Sequence, residues 1–238
     1  MLVRSPRIGY GGLDLNIFDF DYDLTWTAFF LNADGTVYGR YGGRDPKSAD
    51  SRFSLAGLRF AMNAALQAHR QPGRANGESP TKPPLLAEQI PSIVQLKTDS
   101  CIHCHQINTA RRQNLTKAGR WSNDMFWVYP LPENVGLTLD NEQGNRVRSV
   151  ATNSPGGRAG IRPGDILQEL NGYSVASFGD AQHALHKGPD EGSIPIVWHR
   201  AGETMNANLD VVMGWRRTDW KWRPSMRNLP PALKSALK

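Results

Sequence analysis

Apolar and polar residues alternate with a period of two near the start of the chain and then change to a helical period. Residues 24–31 and 37–41 are two β-rich runs, and Asp34-Gly35 lies between them. An Asp-Gly pair in this position is a strong signal for a hairpin turn. Ser54 is placed to cap a helix after the hairpin. Its apolar stripe at helical spacing would be Leu55, Leu58, Met62, Ala65, Leu66 and His69.

Three acidic residues precede the hairpin in an alternating pattern. Asp19, Asp21 and Asp23 are separated by Phe20 and Tyr22. A calcium loop of the EF-hand type requires a glycine that this run lacks, and its intervening positions are not aromatic. The alternation therefore predicts a strand with one charged face.

The order of strand, Asp-Gly hairpin and amphipathic helix resembles the C-terminal half of a thioredoxin-like fold. The resemblance covers residues 14–70 and rests on residues 29–35 with the helix that follows. This segment contains no C-x-x-C, and Leu24-Thr25 stands where thioredoxins have a cis-proline. The resemblance therefore implies a fold but no thiol–disulfide activity.

A segment rich in proline and glycine follows and predicts a linker over residues 71–89. The next segment, residues 90–131, predicts two helices. Pro91 is placed to open a short one, and a second would run from residue 105 to Gly119, where it stops.

The strongest chemical signal lies between these helices, where residues 101–105 spell C-x-x-C-H. The spacing fits a covalent haem c, since Cys101 and Cys104 would bind the porphyrin vinyl groups and His105 would ligate the iron. These are the only two cysteines in the chain. A zinc site would need ligands that so short a run cannot close around one ion. A dithiol redox pair is a stronger alternative, although that motif usually follows a strand directly.

The second iron ligand is left open by the sequence. Met125 is the nearest sulfur ligand after the motif, His69 is a histidine alternative, and a five-coordinate iron is a third possibility. Aromatic residues are candidates for an apolar wall around the haem, namely Trp121, Phe126 and Trp127. Cationic residues would either pair with haem propionates or form a solvated face, namely Arg111, Arg112, Lys117 and Arg120.

The C-terminal third resembles a PDZ domain. Residues 154–167 are similar to the S-P-A-x-x-A-G-L-x-x-G-D-x-I signature of bacterial PDZ domains, and the resemblance spans residues 132–212. Ser154 and Ser177 are placed as caps of two helices. The resemblance implies that a peptide C-terminus binds by strand addition. The residues implied in peptide binding are Val135, Gly136, Leu137, Thr138, Leu139, Phe178 and Gln182.

Composition and charge narrow the possible partners. The chain has 238 residues, 39% of them hydrophobic, and carries a net charge of +6. The basic residues are scattered among acidic ones without an aromatic nucleic-acid motif, so we expect no nucleic-acid binding. We expect no transmembrane segment either, because no apolar run is long enough. Residues 213–238 form a tail rich in Trp and Arg that is expected to fold back over the haem or the linker, with contact to a membrane surface as a weaker alternative.

These features predict an α+β multidomain protein with a partial thioredoxin-like segment, a short helical haem-binding segment and a PDZ β-sandwich or barrel with two helices. The whole chain resembles a family of bacterial exported proteins that combine these parts. The first functional hypothesis is a monohaem c-type cytochrome that carries a PDZ peptide-binding module and directs one-electron transfer or redox sensing to a partner protein. The second is a PDZ scaffold in which the haem or dithiol is structural or regulatory. The sequence contains neither a Ser-His-Asp order nor a metal-hydrolase motif, so no motif in it indicates an enzyme. Because haem c is attached outside the bacterial cytoplasm, we expect a periplasmic location, although the chain shows no apolar signal region at its start.

Overall fold

The computed structural model describes residues 7–8, 14–71, 83–94, 102–219 and 221–227. Its N-terminal part contains β1 (Arg7–Ile8) and the antiparallel hairpin of β2 (Ala28–Leu31) and β3 (Val37–Tyr41). Gly35 has a φ of 88° in the connecting turn, a conformation that glycine adopts without steric cost. The predicted hairpin is therefore confirmed. Within the described ranges the hairpin has two strands only, so a thioredoxin-like sheet is not confirmed.

The helix after the hairpin, α1 (Leu55–Arg70), begins at the predicted cap. The Ser54 hydroxyl accepts a hydrogen bond from the Gly57 amide at 2.9 Å. This bond satisfies one of the amides that the first helical turn leaves without a partner. The start of α1 was thus readable from the sequence.

The predicted apolar stripe of α1 is confirmed only in part, since Ala65 is buried and Leu58 packs against a hydrophobic cluster but the other predicted positions are exposed. The buried face consists of the small residues Gly57, Ala61 and Ala65, whereas Leu55 is 81% exposed. A Cβ atom on Gly57 would lie 2.2 Å from the Asn141 carbonyl oxygen. The helix lies so close to its neighbours that only small side chains fit, and the larger apolar residues of the stripe point outward at Met62 and Leu66.

The acidic run before the hairpin is not a strand with a charged face, as the alternation had predicted. Residues 15–24 form turns, and both Asp21 and Asp23 are buried, at 1% and 2% exposure. Their neighbours Phe20 and Tyr22 are buried as well. The period-two rule fails here because both the apolar and the acidic side chains have buried partners.

The middle of the chain contains α2 (Pro91–Val94), β4 (Ile102–His103) and α3 (Cys104–Lys117). Both predicted helices are confirmed, and β4 pairs antiparallel with β1. The end of the predicted linker is structured, because Ala87 is fully buried. Residues 72–82 of that linker lie outside the described ranges.

One hydrophobic cluster joins the N-terminal turns, the hairpin and α3. It includes residues from segments far apart in the sequence, and it is the largest of the hydrophobic clusters that the described residues form outside the C-terminal domain. Its buried members are Leu15, Phe18, Phe20, Tyr22, Leu24, Phe29, Val37, Ala87, Ile90, Ile93, Cys104, Ile107 and Ala110. The hairpin and the segment that carries the C-x-x-C-H motif therefore share one core.

The C-terminal domain has two helices among six strands. Its elements are β5 (Leu137–Leu139), β6 (Val147–Val150), α4 (Pro155–Arg158), β7 (Ile166–Leu170), β8 (Tyr173–Ser174), α5 (Phe178–His186), β9 (Gly192–Arg200) and β10 (Glu203–Val211). One sheet has the strand order β10-β9-β7-β8, and β5 pairs with β6 in a second. Both predicted caps are confirmed, since Ser154 accepts from the Gly157 amide and Ser177 accepts from the Asp180 amide, each at 3.0 Å.

The described part of the tail, residues 213–219 and 221–227, includes α6 (Pro224–Arg227) and packs against the N-terminal turns. Arg223 is 1% exposed and its Nη1 lies 2.8 Å from Asp21 Oδ1 and 3.2 Å from Asp23 Oδ2. The Ser225 hydroxyl donates to Asp23 Oδ2 at 2.8 Å. This ionic cluster of Asp21, Asp23, Arg223 and Ser225 connects two segments about two hundred residues apart. Trp220 and residues 228–238 lie outside the described ranges. Among the described residues, no helix is long and apolar enough to cross a membrane.

We expect Arg223→Met to lower the free energy of unfolding by about 3–5 kcal/mol, because it leaves two buried carboxylates without their cation. Chemical denaturation monitored by tryptophan fluorescence measures this loss. Arg217→Met is the matched control, because Arg217 is exposed and its contact with Asp124 is a 3.3 Å surface pair. Equal small losses in both variants would show that the ionic cluster does not stabilise the fold.

Candidate peptide groove and the cavity beside α3

The loop that precedes β5 has the geometry of a tight backbone turn. A 3-10 turn over Pro132–Val135 ends at Gly136, which has a φ of 83°. A Cβ atom on Gly136 would lie 2.0 Å from the Ser154 hydroxyl oxygen. Both the left-handed backbone and this close approach require glycine. The loop is thereby fixed against the start of α4, with its backbone next to β5.

The strand β5 has an edge that no other strand covers within the described ranges. It pairs with β6 through Leu137↔Val150, Thr138↔Ser149 and Leu139↔Val147. An unpaired edge presents backbone donors and acceptors to an added strand. This edge is the part of the domain that is suited to take up an extended peptide.

The side chains of β5 and its loop divide between the core and the surface. Val135, Leu137 and Leu139 are at most 2% exposed and belong to the hydrophobic core of the C-terminal domain, whereas Thr138 is half-buried. The Gly136 amide donates to the Glu133 carbonyl at 3.0 Å, so it is engaged within the turn. The apolar side chains therefore support the strand, and any peptide contact would come from the backbone and from Thr138.

The other wall of the groove, α5, is covered by the N-terminal part of the chain. Phe178 is 7% exposed, and a Cβ atom on Gly43 would lie 2.4 Å from its Cδ1. Gln182 is 2% exposed and donates through Nε2 to the Tyr129 carbonyl at 2.9 Å. Both predicted groove residues thus contact other parts of this same chain.

Arg52 is the main contact across this region, and sequence reasoning missed it. Its guanidinium carbon lies 4.5 Å from the centroid of the Phe178 ring, and Nη2 lies 2.6 Å from Glu133 Oε1. Nε of Arg52 lies 3.0 Å from Asp45 Oδ2. Arg52 therefore spans from α5 to the turn before β5. An arginine in a polar loop carries no sequence signal for such a contact.

The N-terminal hairpin is attached to α5 by buried hydrogen bonds. Oδ1 of Asp180 accepts from the Arg40 amide at 2.7 Å, and the Ser177 hydroxyl donates to the Arg40 carbonyl. Burial raises the pKa of Asp180 to about 6, although the positive charge of Arg40 acts in the opposite direction. The helix cap residues of α5 thus also hold β3, so the groove is covered by a fixed element.

The C-x-x-C-H residues are placed as follows. Cys104 is the first residue of α3, is 2% exposed, and packs in the shared N-terminal core with Ile107 and Ala110. His105 follows it and is half-buried, and Cys101 lies outside the described residues.

The two candidates for the second iron ligand lie in different surroundings. Met125 is 43% exposed and lines a cavity beside α3. His69 is exposed near the end of α1, and its Nδ1 lies 3.2 Å from the Tyr38 hydroxyl. The described structure brings Met125 to the face of α3 and gives His69 a partner on β3.

The cavity beside α3 has a volume of about 270 Å³. It combines apolar and aromatic walls with two guanidinium groups and brings together several residues that the sequence had suggested as a haem wall. Its lining residues are Asp23, Asn108, Arg111, Arg112, Leu115, Trp121, Met125, Phe126, Val128, Tyr129, His186, Ser225 and Met226. Its α3 side starts at Asn108, one turn beyond His105.

The surroundings of the Cys104 side chain determine whether a covalent haem fits this arrangement. A thioether bond requires the porphyrin edge to lie against the sulfur. The Cys104 side chain is already surrounded by protein atoms, since it is 2% exposed, and it belongs to the core that includes Ile107. The described packing therefore does not fit a porphyrin bound to Cys104. In the part of the chain that is described, no cluster of three or more His, Cys, Asp or Glu residues is suited to hold a metal ion either.

His186, at the end of α5, lies at the cavity wall in an aromatic environment. Its ring stacks on Tyr129 with a centroid separation of 4.0 Å, and the Tyr129 amide donates to its Nδ1 at 3.3 Å. Burial lowers the pKa of His186 from 6.5 to about 3, although the carboxylate of Asp19 acts in the opposite direction. The ring is therefore neutral at pH 7 and accepts through Nδ1.

Comparison with known proteins identifies the C-terminal domain. Residues 146–200 match the family model described as PDZ domain. Periplasmic serine endoprotease DegP of Escherichia coli (strain K12) is 29% identical over 75 residues, which are 32% of this chain and 16% of that protein. DegP of Salmonella typhimurium matches at the same identity over the same length. The chain contains a PDZ domain, and the match spans about a sixth of the length of these curated relatives.

Two solved structures show similarity to parts of the chain. One is the HtrA3 PDZ domain bound to a phage-derived ligand (FGRWV), with 28% identity, 29% of this chain and 64% of that chain covered, and a TM-score of 0.26. The other is the serine endoprotease from Yersinia pestis, with 20% identity, 44% and 35% coverage, and a TM-score of 0.34.

We expect acidification to destabilise the wild-type protein more than a His186→Gln variant. The folded-state pKa of His186 lies below its unfolded value, so its contribution to stability is present above pH 6.5 and is lost as the pH falls. Between pH 7 and 5 the wild type should lose about 1–2 kcal/mol that the variant retains. Urea unfolding at both pH values measures the difference. His69→Gln, at an exposed position, is the control, and an identical pH response of all three proteins would contradict a buried neutral His186.

Proposed function

We propose that the C-terminal PDZ domain docks the chain end of a partner protein by strand addition along β5. The uncovered edge of β5, beside the Gly136 turn, is the single observation that carries this proposal. Backbone hydrogen bonds along such an edge provide affinity for an extended peptide with little dependence on its sequence. The side chain of Thr138, half-buried between two core residues of β5, supplies a polar contact on that strand.

The contacts of Arg52 indicate how docking is controlled. A peptide beside β5 needs room against α5, where Phe178 is covered by Arg52 and by the backbone near Gly43. The Arg52–Glu133 pair closes the same region at the turn before β5. A ligand therefore has to displace Arg52, so the affinity of the intact chain is lowered by the free energy of that displacement.

This proposal corresponds to a scaffold or adaptor and includes a location outside the cytoplasm. The curated relatives of the PDZ region are named periplasmic proteases, and the proposed docking role is compatible with the same compartment. The match to those relatives covers the PDZ region alone, so a proteolytic activity is not part of the proposal.

We expect Arg52→Ala to bind peptides with a free C-terminus at least threefold more tightly than the wild type, because one of the contacts that cover Phe178 no longer has to be displaced. A random peptide library with free C-termini is selected against both proteins, and the enriched peptide is titrated by fluorescence anisotropy. Arg148→Ala, an exposed arginine on β6 of the same domain, is the matched control. The amidated form of the peptide should bind more weakly.

The outcomes separate the two parts of this proposal. Equal affinity of Arg52→Ala, Arg148→Ala and the wild type would show that Arg52 does not close the groove. Failure of both the wild type and Arg52→Ala to enrich any peptide would contradict peptide docking itself.

The C-x-x-C-H spacing favours a second proposal, a covalent haem c for one-electron transfer to a redox partner. Cys101 and Cys104 would hold the porphyrin and His105 would ligate the iron. Because Cys104 is packed in the core, haem attachment requires the start of α3 to take a different arrangement from the one described. The spacing supports this proposal and the packing opposes it.

Expression in a host with the cytochrome c maturation machinery tests the second proposal. If it is right, the denatured protein keeps a haemochrome absorption band and a mass increase of one haem, and Cys104→Ala loses the covalent attachment. A wild-type protein that leaves the same host without either signal would falsify the cytochrome assignment.

A further inference from the structure

We propose that the cavity beside α3 binds a small aromatic carboxylic acid, with the carboxylate on Arg112 and the ring against the wall that Trp121 and Phe126 form together. This inference is independent of the peptide groove. It rests on a buried cation that the protein compensates only in part, in a cavity whose other walls are largely apolar.

Arg112 is the cavity residue that is suited to bind an anion. It is 8% exposed, its Nη1 donates to the Ser225 carbonyl at 3.3 Å, and its guanidinium carbon lies 5.9 Å from the Phe126 ring centroid. A guanidinium carries five N–H donors, and the one hydrogen bond that the described residues give Arg112, to a neutral carbonyl, leaves most of that capacity for a ligand in the cavity. Burial lowers the pKa of Arg112, which reflects the cost of holding this charge away from water.

The nearest carboxylate is committed elsewhere. Asp23 also lines the cavity, but its Oδ1 accepts from the Ser225 amide at 2.7 Å. Its Oδ2 accepts from the Ser225 hydroxyl at 2.8 Å and from Arg223 at 3.2 Å. Asp23 thus forms its hydrogen bonds with Arg223 and Ser225, and it acts on Arg112 only through space, where it opposes the effect of burial on the Arg112 pKa.

The second cation of the wall has a different partner. Arg111 lies with its guanidinium carbon 5.2 Å from the centroid of the Tyr22 ring, on the cavity side of α3. Among the described residues neither Arg111 nor Arg112 forms a salt bridge with a carboxylate, so the two cations raise the positive potential of the cavity that both line. A bound carboxylate would lower that potential and accept hydrogen bonds that are strengthened by charge.

The remaining walls of the cavity favour a ligand with an aromatic ring. Trp121 and Phe126 are in edge contact, with ring centroids 4.7 Å apart, and Met125 and Met226 complete this side. Methionine and aromatic side chains pack well against a flat ring. At about 270 Å³ the cavity is close to the lower end of the range for small-ligand sites, which favours a compact molecule with one or two rings.

The test uses the full chain and two probes of nearly the same shape, one with a carboxylate and one with a neutral amide. 2-Naphthoate and its neutral analogue 2-naphthamide are titrated by isothermal calorimetry, with tryptophan fluorescence as a second readout. We expect saturable one-to-one binding of the acid, with the amide bound at least tenfold more weakly because it lacks the charged contact to Arg112. Equal affinity of acid and amide, or no saturable binding of the acid, would overturn the proposal.

Two variants locate the site. Arg112→Gln removes the charge and keeps a donor for the Ser225 carbonyl, and it should reduce the preference for acid over amide to below threefold. Met125→Asp places a negative charge at an exposed wall position without disturbing the core, and it should weaken naphthoate at least tenfold. Met62→Asp, at a similarly exposed position on α1, should leave binding unchanged. Unchanged naphthoate affinity in Met125→Asp would show that the ligand binds elsewhere.

Discussion

The buried ionic cluster of Asp21, Asp23, Arg223 and Ser225 is the interaction on which the arrangement of the whole chain depends. Arg223 also donates through Nη2 to the Val128 carbonyl at 2.8 Å, so the cluster joins the N-terminal turns, the segment before the PDZ domain and the C-terminal tail. Burial raises the pKa of Asp21 to about 6 even with Arg223 beside it. Such a cluster adds little net stability compared with an apolar core, but it fixes which segments meet.

That arrangement explains why the α5 side of the peptide groove is covered by other segments of the same chain. The cluster holds the segment around Tyr129 in place, and the Tyr129 carbonyl accepts from Gln182 on α5. The cap of α5 in turn holds β3 through Asp180 and Arg40. With both sides of α5 occupied, the loop that carries Arg52 lies over Phe178. Closure of the groove is thus a consequence of how the domains are joined, and the strand edge of β5 stays uncovered.

Local rules predicted the elements of this fold, and long-range contacts decided the rest. Ser54, Ser154 and Ser177 begin helices because a cap depends on neighbours three residues away, and the Asp34-Gly35 turn is equally local. The PDZ region was readable because its signature includes such caps and turns. The burial of Asp21 was not readable, because its partner lies 202 residues away. The buried face of α1 was predicted only in part, because a close approach selected Gly57 and the alanines over larger apolar residues.

The C-x-x-C-H motif shows how the same division affects a functional interpretation. Its spacing describes the chemistry that five adjacent residues are able to perform, which is a local property. Whether they perform it depends on what surrounds the sulfur, and Cys104 is surrounded by a core built from residues as distant as Leu15. Two of the cations and two of the aromatic residues that follow the motif line a separate cavity one turn further along α3, namely Arg111, Arg112, Trp121 and Phe126. There Arg112 shares the nearby carboxylate of Asp23 with Arg223. The pattern that suggested a haem wall therefore gives, in the folded chain, a compact site whose charge and size suit a smaller acid.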